Sequence, residues 1–260
     1  MTTTTIHARR PGDGAWLRMM QAEAKMIARA PVGLLLPRGL PLLLLVMNGI
    51  SLADPNAEVE GRPGLTVMEV YVMPVILAMV VTLIAVMNFP SFLATYRKTG
   101  VLRRLAVTPA SPAMVLVSQV VVSFVQALVG LAIAFAVGAL LFDINPPTDA
   151  LTAVLVLVAC AVAMYAVGMI VASIAPSPNA ATAIGLIAFF GMAALGGMFG
   201  STENLPEPLA EMGSWLPFGA TVEAFQSTWL GESVAWENWA SLGATTVLGV
   251  GVASALFRWE

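Results

Sequence analysis

Residues 90–112 read PSFLATYRKTGVLRRLAVTPASP. Arg97, Lys98, Arg103 and Arg104 crowd between positions 97 and 104, in a chain with only 12 Lys and Arg in all. No acid falls in the stretch, Gly100 divides it, and Pro90, Pro109 and Pro112 bound or interrupt it. Long apolar runs lie on both sides. A piece this polar cannot sit in hydrocarbon, and it is too short to be a domain. It reads as a structured cytoplasmic loop joining two membrane spans.

The composition agrees with that reading. Of 260 residues, 58% are hydrophobic and 10% charged, against about 25% charged in an ordinary soluble domain. Too few polar residues remain to cover a soluble surface. The apolar runs are continuous, not the alternating segments of an outer-membrane barrel. The expected class is an all-α membrane protein. At about 20 apolar residues per span, the chain has room for about six.

Moving outward towards the N-terminus, the second span is placed at about 69–89, with Pro74 near its outer end. A polar loop precedes it, carrying Asp54, Glu58, Glu60 and Arg62. The first span is placed at about 32–52, and Arg38 near its start can snorkel to the headgroups. Residues 15–30 have helical spacing. Trp16, Met19, Met20 and Ile27 share one side, with Arg18, Lys25 and Arg29 towards the other. This predicts an amphipathic helix lying on the membrane surface. Residues 1–14 are Thr-rich and broken by Gly and Pro, which predicts a disordered tail, and no h-region follows Arg9 and Arg10 to make a cleavable signal.

Towards the C-terminus the remaining spans are placed at about 113–141, 151–175, 180–200 and 239–257, with short turns at 143–150 and 176–179. Residues 201–238 carry six Glu and neither Lys nor Arg. Within them SWLPFGATVEAFQSTWL, 214–230, is apolar but too short to cross. Trp215, Phe218, Phe225 and Trp229 suggest interfacial aromatics, and a re-entrant or surface-lying helical segment is expected. The whole of 31–260 reads as one transmembrane domain.

Six spans put both termini on one side. That side collects Arg9, Arg10, Arg18, Lys25, Arg29, Arg38, Arg97, Lys98, Arg103, Arg104 and Arg258, and the other holds only Arg62. Such asymmetry places both ends in the cytoplasm. All acids but Asp13, Glu23 and Glu260 then lie outside.

Catalytic chemistry is poorly served. Lys25 and Lys98 are the only lysines, and neither ends a Gly-rich phosphate loop. One histidine and one cysteine rule out the common zinc sites, and Cys160, mid-span, reads as a packing residue. The deep span positions are almost free of charge, unlike those of ion-coupled carriers. Glu69 and Glu223 fall near the outer boundary or in the outer segment, and Glu223 reads as a water-exposed helix residue. Any transport would draw its energy from a partner.

With the topology in hand, YRKTGVLRRLAVTPASP resembles the cytoplasmic loop of type-2 ABC-exporter permeases, most nearly the bacterial daunorubicin-resistance-like drug and antibiotic efflux branch. Gly100, Leu102, Arg103, Arg104, Leu105, Thr108 and Pro109 carry the match. Many members have acids where this chain has Tyr96 and Lys98. SPNAATAIG at 177–185, GG at 196–197 and WLPFGATVEAFQ at 215–226 also look family-like.

The resemblance implies a non-catalytic subunit in a bacterial plasma membrane, two copies or paralogues of it working with two separately encoded ATPase chains that hold ATP and Mg. The loop, with Tyr96, Arg97 and Lys98 leading into it, would be a coupling helix seated in a groove on the ATPase, which the lead-in helix would also touch. Cargo would pass between permease copies along the second and fifth spans, which offer Met73, Met79, Met87, Asn88, Phe189, Phe190 and Met192. No cofactor is expected in the chain itself. An ATP-independent carrier or channel, export of a glycan or lipid-linked substrate, and a membrane scaffold are the competing readings.

Overall fold

The computed structural model describes residues 13–52, 54–101, 112–199 and 205–256. Leu102, Arg103, Arg104, Leu105, Thr108 and Pro109, and nearly all of the tail read at 1–14, lie outside them. The elements run in order α1 Asp13–Ala28, α2 Pro31–Ser51, β1 Glu58–Val59, β2 Arg62–Thr66, α3 Met68–Lys98, α4 Pro112–Phe142, α5 Ala150–Ile174, α6 Pro178–Leu195, α7 Glu207–Trp215, α8 Pro217–Leu230 and α9 Trp236–Leu256. Among the described residues six helices are long and apolar enough to cross a membrane: α2, α3, α4, α5, α6 and α9. The protein is an all-α, multi-span membrane protein.

The centre of the bundle is α3, whose side chains are buried on almost every face. It is continuous but not uniform: π-helical turns at Met68–Val72 and Leu83–Asn88 flank a regular α segment, Met73–Thr82. A helix apolar all round has no preferred face of its own, so its neighbours decide how it sits. Glycines on those neighbours set the spacing. A Cβ on Gly168 of α5 would collide with the Ala85 carbonyl oxygen, and one on Gly185 of α6 with that of Val86. A Cβ on Gly130 of α4 would lie 2.8 Å from Val80 Cγ1. Lipid supplies little hydrophobic drive between helices, so close backbone packing at small residues holds membrane bundles together.

Prolines explain a second set of contacts. Pro37 lies inside α2 and has no N–H to donate, so the Gly33 carbonyl four residues earlier loses its helical partner. Two side chains replace it. Asn88 of α3 donates its amide N–H to that oxygen, and Gln126 Nε2 of α4 donates to it at 3.0 Å. Arg38, expected to snorkel to the headgroups, is held by carbonyls of the protein: Nη1 donates to that of Leu34 at 2.9 Å, and Nη2 to that of Gln126 of α4 at 3.4 Å.

The end of the bundle away from Arg97 is knitted by one carboxylate. Thr66 and Glu69 form a reciprocal capping box at the start of α3. Thr66 N–H donates to the Glu69 carboxylate at 2.8 Å and Glu69 N–H to Thr66 Oγ1 at 3.3 Å. Fully buried Glu69 also accepts from Asn145 N–H at 2.7 Å and Asn145 Nδ2 at 2.9 Å. Trp229 Nε1 donates to the Asn145 carbonyl at 3.1 Å, which brings the end of α8 to the same turn.

The hairpin α7–α8 turns at Leu216. At about 1.5 Å per residue, α8 is roughly 21 Å long, short of a bilayer crossing. It packs on α3, α5 and α9. Phe218, Phe225 and Trp229 are therefore core residues, and of the four expected interfacial aromatics only Trp215 is exposed.

Candidate functional site

The basic stretch leaves the bundle from the end of α3, and three neighbouring helices hold that end in place. Tyr96 is buried, and its hydroxyl donates to the Glu23 carboxylate of α1. Met26 Sδ of α1 lies 3.4 Å from the same hydroxyl. Burial pushes the Glu23 carboxyl above its ordinary value, against the smaller opposing effect of the Tyr96 hydrogen bond. Arg97 Nη2 donates to the carbonyl of Ala172 and, at 3.0 Å, to that of Ala175. These are among the last carbonyls of α5, which have no helical partners of their own, and a cation there suits the helix dipole. From the next residue but five towards the N-terminus, Ser91 Oγ donates to the Pro178 carbonyl of α6 at 3.3 Å.

Beyond this anchor the chain turns out. Lys98 and Thr99 are exposed. Gly100 has φ +67° and its N–H donates to the Arg97 carbonyl at 3.1 Å. That is a left-handed residue closing a helix, the position where glycine is strongly favoured. A Cβ there would meet nothing within 4 Å, so backbone conformation alone demands the glycine.

Of the sequence-selected loop residues, Tyr96 and Arg97 thus brace the loop from within the protein, and Lys98 presents its charge outward. Glu23 was missed as a site residue. The signal was there: Met19, Glu23 and Ile27 recur every fourth residue, which puts an acid on the apolar side of an amphipathic helix.

The residues expected along a transport path divide differently. Met73, Met79 and Met87 are buried inside the single protomer, because α3 is enclosed by α2, α4, α5, α6 and α8, and Phe189 of α6 is buried against Phe218 of α8. Asn88 has a structural task, satisfying the carbonyl that Pro37 orphans. Phe190 is 41% exposed and Met192 half-buried.

An open cavity of about 540 Å³ lies at the end of the bundle away from Arg97, between the last turns of α2, the first turns of α3, residues 196–198 and α8. Asn48, Tyr71, Glu223 and Gln226 bring polar groups to its apolar walls. Glu223 is half-buried here, which corrects its reading as a water-exposed residue. Burial raises its carboxyl above the ordinary value, and a hydrogen bond with Asn238 of α9 partly offsets this.

Residues 15–230, well over half of the chain, match the family described as ABC-2 type transporter. No curated protein matches the chain.

Proposed function

The chain belongs to the ABC-2 type transporter family and is a membrane-spanning permease subunit, and on that premise we propose that it exports a hydrophobic or amphipathic compound with energy from ATP hydrolysed, with Mg, by a separate ATPase chain. The family implies an ABC ATPase partner in general. Efflux of a drug, antibiotic or lipid-like cargo, as in the daunorubicin-resistance-like branch, and a pair of permease copies in a bacterial plasma membrane are part of the same proposal.

The observation that carries it is the braced exit of the basic loop. Tyr96 and Arg97 lock the end of α3 to α1 and α5, and Gly100 then launches the loop in a left-handed turn. A push on such a loop moves three helices at once, whereas a loop serving only to fix topology needs charge and no such bracing. Positive charge and apolar Leu102 and Leu105 suit a groove on a partner with acidic rims.

Purified alone, the chain is expected to turn over no ATP. Co-expressed with its cognate ATPase in vesicles, it should support ATP-dependent transport. ATP turnover by the isolated, contaminant-free chain would refute the division of labour, and transport in vesicles lacking any ATPase would favour a carrier.

Orientation has its own test. In a Cys160→Ala background, an impermeant thiol reagent added outside should label Glu207→Cys and spare Thr99→Cys, both exposed positions. Labelling at 99 in intact cells would invert the proposed topology.

A further inference from the structure

We propose that the cavity bounded by Asn48, Tyr71, Val75, Met198, Glu223 and Gln226 is a binding site for an amphipathic organic cation, with Glu223 as its counter-charge. The inference deepens the export reading and rests on it for the side on which the cargo leaves.

The cavity, at about 540 Å³, falls in the range of roughly 300–1,000 Å³ typical of small-molecule sites. Its walls are apolar apart from four side chains, so it suits a bulky apolar body with a localised polar group. The sign of that group follows from the charges nearby. Glu223 is half-buried, its hydrogen-bond partner Asn238 is neutral, and it makes no ion pair among the described residues. A carboxylate partly removed from water with no cation beside it is costly, and a ligand cation would offset that cost.

Several other charges at this end are already engaged. Arg62 is the only described base there, and Glu232 already pairs with it. Glu69 is taken up by backbone and Asn145 donors, and Asp149 caps α5 through Thr152 N–H at 3.0 Å. Among the described residues nothing positive would repel a cation from the cavity mouth.

Two further groups fit the same ligand. The Tyr71 ring, 51% exposed, offers a π face to a cation. The Asn48 amide nitrogen donates to the Leu44 carbonyl at 2.8 Å, which leaves its carbonyl oxygen as the group to meet a ligand. Gln226 stands three residues from Glu223 and so shares its helix face.

The test uses the full chain with its co-purified ATPase in lipid nanodiscs. Equilibrium binding of tetraphenylphosphonium is compared with that of neutral triphenylphosphine oxide. Wild type should bind the cation saturably. Glu223→Gln, which keeps a hydrogen-bonding group for Asn238, should weaken the cation about tenfold or more and leave the neutral probe unchanged. Gln226→Glu, which adds a second carboxylate and leaves Glu223 in place, should tighten the cation and keeps the idea testable if Glu223→Gln misfolds. The proposal is overturned by no saturable cation binding to wild type, by equal losses for both probes, or by cation affinity indifferent to both variants. ATP-driven transport is read in parallel. Its failure in wild type with cation binding intact would sink the export reading and not the site.

Discussion

Gly168→Val should yield no monodisperse protein after extraction in detergent, whereas Gly191→Val should yield wild-type amounts. The two glycines sit in neighbouring helices and differ in what lies in front of them. At Gly168 a Cβ would collide with the Ala85 carbonyl oxygen and stand 3.3 Å from Phe89 Cδ1. The obstacle is backbone in the π-helical turn of α3, the most enclosed helix of the bundle, so it cannot swing aside as a side chain would. Overpacking a well-filled core costs roughly 1–3 kcal/mol even where side chains can shift. Here α5 must separate from α3, and the cost should reach at least about 3 kcal/mol, with loss of the packing that replaces a hydrophobic drive in lipid. At Gly191 nothing lies within 4 Å. Size-exclusion profiles and thermal melts of the two variants check the claim. A Gly168→Val protein that elutes and melts as wild type would disprove the close α3–α5 approach.

Transport should fall at least about tenfold in Gly100→Val and in the double variant Arg103→Glu with Arg104→Glu, while both still insert. For Gly100 the reason is conformational. At φ +67° a non-glycine residue is strained by roughly 1–2 kcal/mol, and a β-branched one by more. The chain would relieve that strain by re-aiming the loop. Gly100→Asn should keep most of the transport, because Asn tolerates the left-handed region and a Cβ there touches nothing. For the arginine pair the reason is electrostatic: reversed charge at a contact with a partner can cost several kcal/mol. Insertion, ATPase co-purification and cargo binding are measured alongside transport. Variants that insert, bind the ATPase and transport at the wild-type rate would reduce the loop to a topological anchor. A Gly100→Asn variant as impaired as Gly100→Val would remove backbone conformation as the cause.

The membrane class, the number of helices able to cross and the segregation of basic residues were legible in the chain alone. Each depends on properties summed along a local stretch, and hydropathy over some 20 residues needs no knowledge of neighbours. Gly100 as a turn was legible for the same reason, since its φ is a local matter. The capping pair Thr66 and Glu69, three residues apart, was legible in principle as well.

Tertiary structure alone decided which apolar residues face inward. Met73 and Met79 have the composition of a path lining, and no periodicity distinguishes them from lipid-facing residues, because α3 is apolar all round. Their burial follows from five helices closing over α3. Asn88 reads in the sequence as a polar group in an apolar helix, and only the packed bundle gives it the Gly33 carbonyl, 55 residues away and orphaned by a proline on another helix. Glu223 changed in the opposite sense, from a solvated acid to a half-buried carboxylate with no ion pair among the described residues, because α2, α3 and α8 meet around it. Composition and periodicity are local and survive in one dimension. Satisfaction of a buried polar group is a relation between distant segments, and it exists only once the helices have packed.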